Sequence, residues 1–331
     1  MTYRLIGPAA AVLIAMALVA CSRTAPASST SSPHAASTPA PSQDLASPQA
    51  APAGTSSAST PPRADGSPFL ADSIDRVHIE YRVFGNGEPA VVLIHGWSCD
   101  ANYWHAQLDD LKAHYTVVTL DLAGHGASGR NRTDWSMANY GEDVAAVARH
   151  ISNAHIVLVG HSMGGPVALE AAPRIGDRVI GIIGVDTFKG IGLPPPARTA
   201  VDQQIAPFRS DFIGEMHRFV PQFLFTRKAD TALARKVADD MARESPDVAL
   251  PSLLALNTLD YGTLLPLIHV PIIAINSDLG TLTDDARIRK AAPTFRSVTL
   301  KGDGHFLMLE DPQRFNPVLI KAIDSLAHGQ P

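Results

Sequence analysis

LVGHSMGGPVAL, residues 158–169, sets one serine among three glycines where two kinds of sequence pattern meet. The apolar residues before it read as a buried strand, and the small residues after it favour a helix. Glycine weakens both elements, so Gly160, Gly164 and Gly165 need a steric reason. A sharp strand-to-helix turn supplies one. The spacing Gly160-x-Ser162-x-Gly164 raises the serine hydroxyl above the end of a sheet. Strand and helix then pass so closely that a β-carbon at 160 or 164 would collide. The helix that follows points its positive end at the serine.

Outward from this turn, apolar runs alternate with helical stretches. RVHIEYRVF (76–84) alternates with period two, and AVVLIHG (90–96) is a continuous apolar run of the kind buried on both faces. TVVTLDL (116–122), HIVLVG (155–160), VIGIIGVD (179–186), PIIAINSD (271–278) and SVTLKG (297–302) read as further strands. Helices are expected at 102–115, about 140–151, 163–174 and 312–327. This rhythm predicts an α/β chain, a mostly parallel sheet flanked by helices. Residues 187–265 break it. They carry no convincing strand and read as several helices, among them 207–219 and 230–243, with proline breaks at Pro194–Pro196, Pro221, Pro246 and Pro251. An all-helical insertion after the sixth strand reads as a cap over the sheet's edge, leaving 69–186 and 266–331 as the core.

The ends and the charge bound the biology. The net charge of −5 is spread over 331 residues. No basic run suggests nucleic acid, which is not expected as a partner. Residues 1–20 pair one positive charge at Arg4 with an apolar stretch and small residues, as in an export signal. Leu18-Val19-Ala20-Cys21 resembles a bacterial lipoprotein signal, in which Cys21 becomes the lipidated first residue. Residues 21–68 are rich in Pro, Ala, Ser and Thr and read as a disordered tether. These features imply an exported protein held by lipid in the bacterial envelope, with the outer membrane the expected one. Cys99 is the only other cysteine, and nothing beside it is arranged to activate a thiolate.

Three further stretches bear on Ser162. His95-Gly96-Trp97 follows a buried strand, so Trp97 N–H and Met163 N–H are candidates to bind an oxyanion. His95 itself reads as a brace for that loop. Gly302-Asp303-Gly304-His305-Phe306 places a histidine on a glycine-flanked loop before the last helix, where it can act as general base. Asp278, at the end of IIAINSD, is the expected carboxylate partner of that histidine. Asp186, ending the preceding strand, is its rival. The order Ser162, Asp278, His305 is that of a nucleophile, acid and base on this kind of sheet. His125, His161 and Asp121 read as structural.

On these residues the chain resembles an α/β-hydrolase with a helical cap, over about 72–328. The resemblance rests on His95-Gly96-Trp97, Asp121-Leu122-Ala123-Gly124-His125-Gly126-Ala127-Ser128, Gly160-His161-Ser162-Met163-Gly164-Gly165 and Gly304-His305-Phe306. The turn after IIAINSD is tighter than in many relatives, which leaves the identity of the acid open. Epoxide hydrolases and haloalkane dehalogenases of the family use aspartate at the elbow, so Ser162 points away from both. The resemblance implies cleavage of small-molecule carboxylic esters through an acyl-enzyme, with no metal and no organic cofactor. Trp97 and Trp104 are also similar to the cofactor-free haloperoxidases, which act as perhydrolases. Carbon–carbon bond hydrolysis, lactone or amide cleavage, and a non-catalytic ligand-binding lipoprotein are the alternatives. Phe208, Phe212, Met216 and Phe219 fall near helical spacing on one face, read first as packing the cap and second as an acyl pocket.

Overall fold

Valine and isoleucine dominate the central strands because their branched side chains pack well when a strand is covered on both sides. In the computed structural model, which describes residues 64–329, these runs form one eight-stranded sheet in the order β1-β2-β4-β3-β5-β6-β7-β8. The strands are β1 (Asp65–Asp72), β2 (His78–Phe84), β3 (Ala90–Ile94), β4 (Thr116–Leu120), β5 (Ile156–His161), β6 (Val179–Val185), β7 (Ile272–Ser277) and β8 (Arg296–Leu300). β1 and β2 pair antiparallel, as do β2 and β4; every later pairing is parallel. All residues of β3, β4, β5 and β7 are buried, as expected of strands with helices over both faces.

The helices of the sheet region are α1 (His105–Lys112), α2 (Met137–Ala148) and α3 (Gly164–Ile175), with α9 (Asp285–Ala291), α10 (Leu307–Glu310) and α11 (Pro312–Ala327) after the insertion. α2 packs on α3, and α1 packs on α11. One ion pair joins three distant parts of this body. Arg132 and Asp143, both fully buried, meet at 2.7 Å, and Asp143 also accepts from Ser73 Oγ and Ala123 N.

Between β6 and β7 the chain forms helices and turns without a strand: α4 (Arg198–Ser210), α5 (Phe212–Phe219), a π-helical turn over Val220–Leu224, α6 (Thr231–Met241), α7 (Pro246–Asn257) and α8 (Tyr261–Leu264). Three local expectations differ from what forms. The helix expected over 207–219 is two helices. Asp211 adopts a non-helical backbone between them, and its carboxylate caps α5 through Gly214 N. Pro251 does not break a helix but lies inside α7, and Pro207, expected to open a helix, lies inside α4. Pro251 lies in the second turn of α7, past the turn where proline costs nothing, so the helix continues without one of its internal hydrogen bonds. The first strand begins at Asp65, ahead of the expected boundary at 69. DGSPFLAD is an edge strand with one buried residue, Ala71, so its sequence carries little apolar signal. The signal over 1–20, the lipid site Cys21 and most of the 21–68 tether lie outside the described residues.

Candidate active site

The serine turn forms as its glycines require. Ser162 sits between β5 and α3 with φ of 51°, a left-handed conformation that costs a non-glycine residue energy. The surrounding bonds hold it there. Ser162 N donates to Val185 O at 2.9 Å, and Gly165 N donates to Ser162 O at 3.0 Å. A β-carbon at Gly160 would lie 2.1 Å from Gly164 O, and one at Gly164 would lie 2.4 Å from Ile94 O. Neither site can take a side chain without backbone movement.

His305 lies on the loop between β8 and α10. Its backbone is gripped from three sides. His305 N donates to Leu224 O at 2.7 Å, and its carbonyl accepts from His161 Nε2 at 3.0 Å. Glu310 accepts the N–H groups on either side, from Gly304 at 2.9 Å and Phe306 at 3.2 Å. The ring is fixed by Asp186, whose Oδ2 lies 2.6 Å from His305 Nδ1. With Nδ1–H donating to a carboxylate, Nε2 is left as the proton acceptor.

The carboxylate that meets His305 is therefore Asp186, and the expectation that Asp278 would do so is corrected. Asp278 Oδ1 instead accepts Gly302 N at 2.8 Å, which ties the end of β7 to the loop that follows β8. β7 contributes a different group. Ser277 donates its N–H and its hydroxyl to Asp186 Oδ1, each at 2.9 Å. Asp186 has φ of 46°, so the chain leaves β6 by a sharp turn that carries the carboxylate to the histidine. The Lys189 ammonium is 2.9 Å from the same Oδ1. Burial alone would raise the Asp186 carboxyl, but its bonds to His305 and Lys189 outweigh it and hold the group well below the usual carboxylate range.

The remaining sequence candidates take structural places. His95 donates through Nδ1 to Gly96 O at 2.8 Å and accepts Leu122 N on Nε2 at 3.0 Å, bracing the loop that carries Trp97. Asp121 accepts from Ala101 N and Ala127 N. His125 donates to Ala123 O, and burial lowers its pKa to about 3. The Cys99 thiol donates to Trp97 O, and burial pushes its pKa up, away from thiolate chemistry. Among the described residues, no group of three or more His, Cys, Asp and Glu side chains is disposed to hold a metal ion.

Ser162, Asp186 and His305 line one cavity of about 320 Å³. Trp97, Phe219, Phe223 and Leu256 add apolar walls, and Gln222 and Asn257 add amides. Most of these walls come from the helical insertion. Trp97 is tied to it as well, since its indole N–H donates to Ala249 O at 2.8 Å. The aromatic face divides between its two readings. Phe208 and Phe212 pack edge-on against Trp97, whereas Phe219 and Phe223 reach the cavity.

Sequence reasoning missed Lys189, Ser277 and Glu310. A lysine three residues after a candidate acid was a weak signal for the first. The other two had none, because their bonds join segments distant in sequence or close a loop.

With this geometry in hand, comparison with known proteins identifies the family. A model described as the α/β hydrolase family matches residues 91–318. The chain belongs to the α/β-hydrolase family. It is 26% identical over 266 residues to an uncharacterised protein of Mycobacterium tuberculosis, covering 74% of this chain and 78% of that one. It is 27% identical over 253 residues to the pimeloyl-[acyl-carrier protein] methyl ester esterase of Yersinia pseudotuberculosis, covering 71% of this chain and 93% of the esterase. Among solved structures, the bromoperoxidase of Bacillus anthracis superposes with a TM-score of 0.67 at 23% identity, covering 78% of this chain and all of that one. That likeness concerns the fold.

Proposed function

We propose that this α/β-hydrolase cleaves carboxylic esters through a serine acyl-enzyme. The observation that carries this reading is the 2.6 Å bond from His305 Nδ1 to Asp186, with Nε2 left as acceptor in the cavity that holds Ser162. Ser162 Oγ attacks the ester carbonyl while His305 Nε2 takes its proton. The oxyanion forms against Trp97 N–H and Met163 N–H, donors worth about 3 kcal/mol each to the transition state. His305 then protonates the departing alcohol. A water activated by the same ring releases the acid from Ser162. Asp186 stays ionised throughout and stabilises the imidazolium. The ester-cleaving name of the Yersinia relative supports this class of substrate.

An organophosphonate probe tests the nucleophile. Labelling should fall on Ser162 and vanish in Ser162→Ala, whose ester turnover should drop by several orders of magnitude. Near-normal turnover by folded Ser162→Ala would refute the reading.

We also propose, from Leu18-Val19-Ala20-Cys21, that the chain is exported and anchored by lipid on Cys21. Mass spectrometry of the membrane-extracted protein should find a diacylglyceryl-modified Cys21 as its first residue. A mature terminus elsewhere removes the anchor.

A further inference from the structure

Lys189 follows the acid by three residues, and its side chain is only 9% exposed. Lysine is seldom buried so far without a specific partner. Its ammonium has two. It lies 2.9 Å from Asp186 Oδ1 and donates to Leu279 O at 3.3 Å. Asp186 is thus divided between two cation sites. Oδ2 serves His305, and Oδ1 serves Lys189 together with both donors of Ser277. The segment is held in place, because the Arg287 guanidinium donates to the carbonyls of Lys189 and Ile191.

We propose that Lys189 is a positioning residue of the triad that holds Asp186 Oδ1 and partly neutralises its charge, so that the acid limb of turnover depends on Lys189. The inference rests on the triad reading above. A lone buried carboxylate beside His305 stabilises its imidazolium strongly and keeps the ring protonated to higher pH. A permanent positive charge on the far oxygen offsets part of that pull. The contact is short and mostly buried, so salt screens it little.

Other groups face His305 without taking this part. The His161 ring centroid is 4.7 Å from that of His305, but burial lowers its pKa to about 3, so it stays neutral in the working range. Glu310, from α10, is occupied by the N–H groups of Gly304 and Phe306.

The test is the pH dependence of kcat/KM on a p-nitrophenyl ester for the full chain and for Lys189→Met and Lys189→Arg. Its acid limb reports the free enzyme's base. Loss of the charge should move that limb about one to two pH units higher, and Lys189→Arg should bring it back. A limb that stays at the wild-type pH in Lys189→Met overturns the proposal, even if kcat falls, since lost packing alone lowers rate without moving the titration. Should Lys189→Met fail to fold, Lys189→Gln keeps a hydrogen bond to Asp186 without charge and is read by the same criterion. Organophosphonate labelling of each variant separates the two failures. No labelling at Ser162 refutes the triad, whereas normal labelling with an unmoved limb refutes only the role of Lys189.

Discussion

The two oxygens of Asp186 make different contacts. Oδ2 fixes the His305 tautomer, while Oδ1 is saturated by Ser277 and Lys189 and cannot swing away. Its carboxyl titrates below the usual range in the fold, so its contribution to stability is present above the ordinary carboxylate pKa. That contribution is lost only as pH falls through the depressed folded value. At working pH the group is ionised. Asp186→Asn should therefore lower kcat by about 10³–10⁴-fold by favouring the wrong tautomer. Asp278→Asn, which removes a charge from the bend after β7, should change kcat by less than about threefold. Steady-state kinetics of the two variants side by side checks this, and the reverse pattern would return the acid to β7. The sequence offered both carboxylates at strand ends. Choosing between them required the left-handed turn at 186, which no spacing rule encodes.

At the scale of elements, the crossing of β5, α3 and β3 fixes where the serine stands. Gly164 has Ile94 O 2.4 Å from where its β-carbon would be, and backbone cannot step aside as a flexible side chain can. Gly164→Ala should cost about 1–3 kcal/mol from overpacking and depress turnover with it. Urea unfolding measures the first and ester kinetics the second; an alanine variant as stable as wild type would mean that the crossing is looser than its geometry. This much was legible from Gly160-x-Ser162-x-Gly164 alone, because glycine is the residue such a crossing admits. Helix limits were less legible. Asp211 splits one expected helix and Pro251 fails to split another. Capping by a side chain and the position of a proline within a helix are decided by a few ångströms of local packing.

At the scale of the whole molecule, histidines are part of the core. His125 and His161 are fully buried with pKa values lowered to about 3, and burial lowers His95 as well. Each is neutral when folded, and each binds a proton below about pH 6.5 once the chain unfolds. The stability they contribute is complete above that pH and drains away as pH falls towards their folded values. Between pH 6.5 and 5 the loss should be about 1.5–2 kcal/mol for each of His125 and His161. Urea midpoints measured at pH 7 and 5 should fall accordingly, and His125→Phe should reduce the slope by one proton. A midpoint that does not change over this range would contradict the buried, neutral state.

By itself the sequence determined the sheet, the helical insertion and the serine and histidine sites. Apolar runs must be covered, and a glycine-fenced serine has few backbone conformations open to it. Tertiary structure alone decided the acid, the lysine that shares it and the groups that grip the histidine loop. Those contacts join the ends of β6, β7 and β8 with α10 and the insertion. Their strength depends on distances and burial that exist only once these segments, far apart in the chain, have come together.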